Sequence, residues 1–393
     1  MTDTLETAMR NEVDALAPDF IATRHYLHQN PELSDSETNT SALVAERLRS
    51  FGIEDVRTQV GGHGVIGTLQ GTGSRAGKLV ALRADMDALP IQETNDLPYK
   101  SCVPGVMHAC GHDGHTSTLL GAAAVLSRLR HEINGSVRFI FQPAEETVDG
   151  AVRMCKEGAM EGVSAIAALH GWPGMAVGQI GVRSGSMMAS SDTWDLTVKG
   201  RGAHAAYPHL SLDPIVIGAQ IVMAFQTVAS REISPVEPVV VTVAQFHSGT
   251  AYNIIPAIAE IKGTVRCLSP ELRKTMQGRL ERIAAGICSA MGAGYEFKYK
   301  YGTPVTYNHP EINGLISEVG ADILGSENVI ELPHPSMGAE DFACYLDFAP
   351  GAMFRLGVGE EMTPLHTPTY NFADEAVPKG MEIFSRFVVK YLG

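Results

Sequence analysis

Apolar residues recur every three to four positions through "TLETAMRNEVDALAPDFIATRHYLHQ", and again through "SETNTSALVAERLRSFG", where Ser36 begins the run and Gly52 closes it. Both stretches predict helices. The pattern then shortens: "GVIGTLQG" and "GKLVALRADMD" read as strands joined by the glycine-rich turn "GTGSRAG". "DGHTSTLLGAAAVLSRLR" predicts a helix with Asp113 as its N-cap. "GSVRFIFQPAEE" predicts a strand that delivers two glutamates, and "SAIAALHGWPG" an apolar strand ending in a histidine. Strands alternating with helices predict an α/β domain built on a mainly parallel sheet.

From residue 186 the order of elements changes. "SDTWDLTVKGRG" (strand), "LDPIVIGAQIVMAFQTVASRE" (helix), "VVVTVAQFHSG" (strand), "AIAEIKGTVRCL" (strand), "PELRKTMQGRLERIAAGICSAMG" (helix) and "GYEFKYKYG" (strand) give βαββαβ, the ferredoxin-like α+β arrangement. After residue 301 the chain returns to α/β material with "GAMFRLG", the loop "EEMTPLHTPTYNFADE" and a closing helix. The expected organisation is an α/β domain in two parts, 1–185 and 302–393, interrupted by an inserted domain at 186–301.

A chain of 393 residues has room for two cores of this kind. Its 44 acidic against 30 basic residues, a formal charge of −14, argue against nucleic acid, whose phosphates need a basic patch. The start carries acids among its apolar residues and has no basic segment leading into an apolar run, so no signal peptide is expected. No stretch reaches the roughly 18 unbroken apolar residues of a membrane span. Six cysteines scattered without CxxC pairs suit reduced thiols, and a cytoplasmic location is expected.

Parallel α/β sheets carry their sites at the carboxyl ends of strands. Asp85 and Asp87 follow "LVALRA", Glu145 and Glu146 follow "VRFIFQPA", and His170 follows "AIAAL". Cys110 and His112, in "MHACGHDGH", open a helix, and His366 lies in a late loop. Taken singly, a strand-end histidine is more often a hydrogen-bonding residue, a buried cysteine a small hydrophobe, and paired glutamates a solvated helix start. Their convergence on one sheet edge is what favours a metal site. The mixed S, N and O donors suit a transition metal such as zinc or manganese, not calcium or magnesium. Paired carboxylates fit hydrolysis, since one can hold a metal while its neighbour takes a proton from the attacking water.

Rival signals fail on context. "GHGVIG" fits GxGxxG, but the stretch continues as strand where a dinucleotide fold needs a helix to open. Neither glycine-rich stretch ends in GK[ST], and there is no GxSxG elbow. Cys110 as a nucleophile paired with His112 would leave Glu146, His170 and His366 without a purpose.

"RADMDALP", "MHACGHDGH", "FQPAEE", "ALHGWPG", "GAHAAYPH", "YNIIPAIAEIKGTVR", "SMGAEDF" and "PLHTP", in this order along the chain, resemble the M20 metallopeptidase family in its amidohydrolase branch of hippurate hydrolases, aminoacylases and auxin-conjugate hydrolases. The resemblance implies two divalent ions (Mn, Zn, Co or Ni) held by Cys110, His112, Glu146, His170 and His366, with Glu145 as general base. It places His108 and His115 outside the ligand set. Where peptidase branches carry H-x-D, this chain has Asp85-Met86-Asp87, so the histidine ligand is missing there and Asp87 matches the orienting carboxylate. In the inserted domain, His204 matches a histidine that stabilises the tetrahedral oxyanion from a partner subunit's lid. Asn253 and Arg266 match positions that hold the substrate carboxylate. The implied activity is hydrolysis of N-acyl amino acids, hippurate-like or N-acetylated, by a homodimer formed through its lids. A dipeptidase or carboxypeptidase of the same architecture is the alternative, followed by a non-catalytic binder of amino-acid conjugates.

Overall fold

The computed structural model describes residues 3–74 and 77–393. The turn expected at 71–77 includes Arg75 and Ala76, which lie outside the described residues. In chain order the elements are α1 (Asp3–Gln29), α2 (Thr38–Ser50), β1 (Asp55–Val60), β2 (Gly64–Gln70), β3 (Leu79–Asp85), α3 (His112–Arg128), β4 (Ser136–Gln142), α4 (Gly150–Lys156), β5 (Val163–Trp172), β6 (Ile180–Val182) and β7 (Gly185–Met188). There follow β8 (Ser191–Lys199), β9 (Ala203–His204), α5 (Pro214–Thr227), β10 (Val239–Ser248), β11 (Ile254–Ile255), β12 (Ile258–Cys267), α6 (Pro270–Ala290) and β13 (Gly294–Thr303). The chain closes with β14 (Thr306–Asn308), α7 (Pro310–Leu324), β15 (Val329–Glu331), β16 (Gly351–Gly357) and α8 (Ala376–Leu392). No described helix is long and apolar enough to cross a membrane.

Two compact units result. One comprises Met1–Gly185, Tyr307–His334 and Asp341–Gly393; the other comprises Ser186–Thr306 and Pro335–Glu340. The first holds an eight-stranded sheet in the order β1-β2-β4-β3-β5-β16-β6-β15. Its centre is parallel, β3 with β4 and β5, and β5 with β16; β1, β2 and β6 pair antiparallel with their inner neighbours. On one face Leu82, Leu169 and Phe354 pack into a core with Phe20 of α1, Leu120 of α3 and Phe384 of α8. On the other, Ala81, Ile140, Ile166 and Met353 pack with Met154 of α4 and with Phe342 and Tyr345. A sheet covered on both faces needs apolar residues at successive positions, which is why β3 and β5 read as continuous apolar runs.

The second unit pairs β10-β12-β8-β13, all antiparallel, and packs α5 and α6 on one face of that sheet. Residues alternate in β12: Ala259, Ile261 and Val265 are buried towards the helices, while Glu260 and Lys262 face out. Asp213 and Ser269 cap the two helices, each accepting a backbone N–H of the first turn. The order of elements is the ferredoxin-like one. Pro335–Glu340, read from sequence as part of the catalytic domain, groups with this unit.

One predicted cap is corrected. Asp113 does not cap α3: the N-cap is Gly111, at φ 89°, and Asp113 lies buried in the first turn. Its carboxylate is engaged by Arg24 at 3.1 Å and His28 at 2.9 Å of α1, so tertiary ion pairing took the side chain that a local cap would have used. Helix α2 likewise starts at Thr38, two residues after Ser36. The structure adds β1, α4, β6, β7, β9, β11, β14, α7 and β15 to the elements read from pattern. Most of β1 is exposed, and α4 is two turns long, too short for periodicity to register. Helix α7 opens on Pro310 with a readable apolar face.

Candidate metal centre

Cys110 and His112 flank a residue that has to be glycine. A Cβ on Gly111 would lie 2.8 Å from the Tyr370 hydroxyl, and the positive φ is costly for any other residue. The Gly111 carbonyl accepts the N–H groups of Gly114 and His115, so the turn that starts α3 also fixes the two flanking side chains.

Hydrogen bonds to one nitrogen select the tautomer of each buried imidazole. His112 donates from Nδ1 to the Asp87 carbonyl at 2.8 Å, with the Asp87 carboxylate 3.2 Å away, so in the neutral ring it is Nε2 that is free of a proton. His170 donates from Nδ1 to the Gly171 carbonyl at 2.8 Å, and its Nε2 lies 3.4 Å from Cys110 Sγ. Both rings therefore present Nε2, the arrangement by which outer hydrogen bonds prepare a histidine ligand.

The glutamates sit in a turn after β4 whose backbone is strained. Ala144 and Val148, which bracket them, have φ of 52° and 54°, values that L side chains rarely adopt. The turn is tied from outside: Ala144 N–H donates to the buried Glu37 carboxylate at 2.8 Å, and Glu146 N–H to Asp87 Oδ2 at 3.0 Å. Asp87 also accepts from the Ser34 hydroxyl at 2.7 Å. It thus joins the His112 ring to the glutamate turn, and orientation is the work its geometry performs. His366 shares the left-handed backbone, at φ 61°, and its N–H donates to the Ala109 carbonyl at 2.8 Å.

The potential ligand atoms form overlapping groups, within each of which all lie within 4.8 Å of one another: Cys110, His112 and His170; Cys110, Glu146 and His366; His112, Glu145 and Glu146. Cys110, His112 and Glu146 each belong to two of them. The chemistry fits divalent cations. His112 Nε2 and Glu146 Oε1 are buried without a hydrogen-bond partner, although 3.9 Å apart. Burial pushes the Cys110 thiol up, so a thiolate there needs a cation beside it. His366 Nε2 stands 3.5 Å from Glu146 Oε1.

Asp85 is otherwise engaged. Arg83 donates to it at 2.7 Å and His115 at 2.6 Å, while His112 Nε2 is 3.7 Å away. Burial opposes its ionisation, but His112, His115 and Arg83 outweigh that and hold its carboxyl well below the usual range. His108 is buried and kept neutral, lowered to about 4 mainly by desolvation.

His204, Asn253 and Arg266 all lie in the ferredoxin-like unit. The β9/β11 ladder pairs His204 with Ile254, and the Asn253 carbonyl accepts the Ala205 N–H at 2.9 Å, so His204 and Asn253 sit side by side. His204 is exposed, and its Nδ1 accepts the Ala206 N–H at 3.1 Å, which puts the proton of the neutral ring on Nε2. Arg266 is half-buried and lies eight residues along β12 from Ile258, roughly 26 Å at about 3.3 Å per residue.

The sequence reading missed Arg83, Glu37 and Asp341. Arg83 binds Gln142 at 2.9 Å and Asp341 at 3.1 Å, wholly inside the first unit. An arginine inside the apolar run "LVALRAD" was the available signal, since a buried guanidinium requires a carboxylate.

The chain is similar to several known proteins. An N-acyl-L-amino acid amidohydrolase of Geobacillus stearothermophilus is 46% identical over 300 residues, 76% of this chain and 80% of that protein. Thermostable carboxypeptidase 2 of Saccharolobus solfataricus is 39% identical, over 98% of both chains. A Bacillus subtilis crystal structure, described as a dinuclear metal-binding peptidase from the M20 family, superposes with a TM-score of 0.85 at 35% identity, covering 96% of this chain and 99% of the other. The family model for peptidase family M20/M25/M40 matches residues 81–390, from β3 to the closing helix, and it is to this family that the chain belongs.

Proposed function

We propose that Cys110, His112, His170, Glu146 and His366 hold two divalent transition ions and that Glu145 is the general base of a hydrolase acting on N-acyl amino acids. The protein is a metal-dependent amidohydrolase, and its products are a carboxylic acid and a free amino acid. The observation that carries the residue assignment is the overlap of the three ligand groups at Cys110, His112 and Glu146, with Glu145 within reach of two of these.

Bound divalent ions would supply Lewis acidity, lowering the proton affinity of the attacking water and withdrawing electron density from the amide carbonyl. Glu145 takes the proton as the water oxygen bonds to the carbonyl carbon. The N–H that His204 carries at Nε2 donates a hydrogen bond to the developing oxyanion and stabilises its charge. As the C–N bond breaks, Glu145 passes its proton to the amine nitrogen. Asp87 keeps His112 and the glutamate turn in place throughout. Asn253 and Arg266 hold the substrate carboxylate in this reading. Exposed Ile215, Val216 and Met223 on α5, the last at 71% exposure, support self-association through that unit. A cytoplasmic setting belongs to the same proposal and rests on the scattered cysteines.

The carboxypeptidase relative favours one rival, a peptidase acting through the same centre. The deciding experiment strips the protein with a chelator, reconstitutes it with Mn²⁺, Zn²⁺, Co²⁺ or Ni²⁺, and assays hippurate, N-acetyl amino acids and dipeptides. Higher kcat/KM on N-acyl amino acids supports the proposal; higher values on dipeptides support the rival. Full activity after metal removal would overturn both.

A further inference from the structure

We infer that Asp85 and His115 are a positioning pair for His170: His115, held by Asp85 through Nδ1, takes the backbone N–H of Gly171 on Nε2 and so fixes the peptide whose carbonyl holds the His170 ring. The inference rests on reading His170 as a metal ligand.

The pairing of β5 with β3 runs to Ala168 opposite Arg83 and stops there. Beyond it, the Gly171 N–H is taken not by a strand but by the His115 imidazole, at 2.7 Å. An imidazole nitrogen that accepts carries no proton, so neutral His115 is protonated on Nδ1, and that proton is donated to Asp85 at 2.6 Å. The other end of Gly171, its carbonyl, accepts from His170 Nδ1. The order Asp85, His115, Gly171, His170 is thus a continuous set of directed hydrogen bonds, ending with His170 Nε2 beside Cys110.

Its origin is equally constrained. Arg83 donates to Asp85 and is itself held by Gln142 and Asp341, and the Thr116 hydroxyl donates to the Asp85 carbonyl at 2.7 Å. Asp85, His115, Thr116 and Arg83 are at most 1% exposed, so water does not compete for these bonds. A layer that merely filled the interior would affect stability alone. A positioning pair would affect how His170 meets a metal.

The test uses the full-length protein and His115→Asn, which keeps a donor for Asp85 but loses the acceptor for Gly171, beside His115→Phe, which loses both. Co²⁺ stoichiometry and affinity are measured by competition with a chromophoric chelator, with the visible spectrum of the bound ion and kcat and KM on an N-acetyl amino acid. Both variants should bind one of the two ions roughly 10–100-fold more weakly, with a shifted Co²⁺ spectrum and kcat falling more than KM changes. Wild-type affinity and spectrum in both would overturn the pairing. Should the phenylalanine variant not fold, long-range ¹H–¹⁵N spectra of the metal-free wild type decide: a proton on His115 Nδ1 supports the pair, one on Nε2 overturns it. His170→Ala separates the two levels. Loss of an ion there with full binding in the His115 variants overturns the pairing alone, whereas retention of both ions overturns the ligand reading beneath it.

Discussion

Glu145 and Glu146 have the same side chain and adjacent positions, yet the turn gives them different surroundings. Glu146 is grouped with Cys110 and His366 as well as with His112; Glu145 is grouped with His112 and Glu146 and, apart from these, with Asp341. Glu145→Gln is expected to retain metal by elemental analysis while kcat drops by roughly 10²–10⁴, the range for a lost general base. Glu146→Gln should lower metal content itself. Equal metal content and equal rates in the two variants would remove the division of labour. A second residue-scale prediction concerns His28, buried between Asp113 on α3 and Glu93, with Tyr99 and His108 beside it. Burial alone would lower its pKa, but Asp113 and then Glu93 outweigh this and raise it to about 9. A raised folded-state pKa stabilises the fold fully below the unfolded value near 6.5 and loses that contribution as pH rises through about 9. The free energy of unfolding, read from denaturant titrations, should therefore fall between those pH values by up to roughly 3 kcal/mol, and His28→Gln should flatten the slope.

At the scale of elements, the site is made by what happens where strands and helices end. The turn after β4 keeps two left-handed residues because Asp87 and Glu37 hold its backbone and because Gly150 enters α4 against the Pro143 carbonyl. A Cβ at Gly150 would lie 1.7 Å from that oxygen, a clash backbone cannot relieve cheaply. Gly150→Ala should cost on the order of 2–3 kcal/mol, read by thermal melting, and should lower kcat by moving Glu145. A melt and rate like wild type would show the turn to be softer than its contacts imply. The apolar runs of β3, β4 and β5 were legible in sequence because a doubly covered parallel sheet leaves a continuous hydrophobic signal. The Asp113 cap was misread because capping is a local rule, and the partner that claimed the carboxylate, Arg24, lies 89 residues away.

The whole molecule raises the question of where His204 acts, since it belongs to a different compact unit from Cys110, His112, Glu146, His170 and His366. Its exposed ring with the proton on Nε2 suits donation to a substrate delivered from outside its own unit. A mixture of Glu145→Gln and His204→Ala chains, each inactive alone, is expected to recover activity if His204 is donated across a dimer, because one site per heterodimer then holds an intact base and an intact histidine. Purified heterodimers without recovery would place His204 within its own chain. On the proposal that the chain dimerises through α5, Met223→Glu on its exposed face should lower the mass seen by light scattering to that of a monomer; an unchanged mass would exclude that face from the interface.

The sequence by itself determined the two kinds of architecture, because hydrophobic period and element order are local properties of the chain. It also determined which residue types could carry metal chemistry, because cysteine, histidine and paired glutamates at strand ends have few other uses in combination. Tertiary structure decided the rest. That Asp87 ties His112 to the glutamate turn and that Asp85 receives His115 depend on hydrogen bonds between residues 25 to 59 positions apart in the chain. Such partners follow from how the strands register, and no spacing along the sequence encodes them.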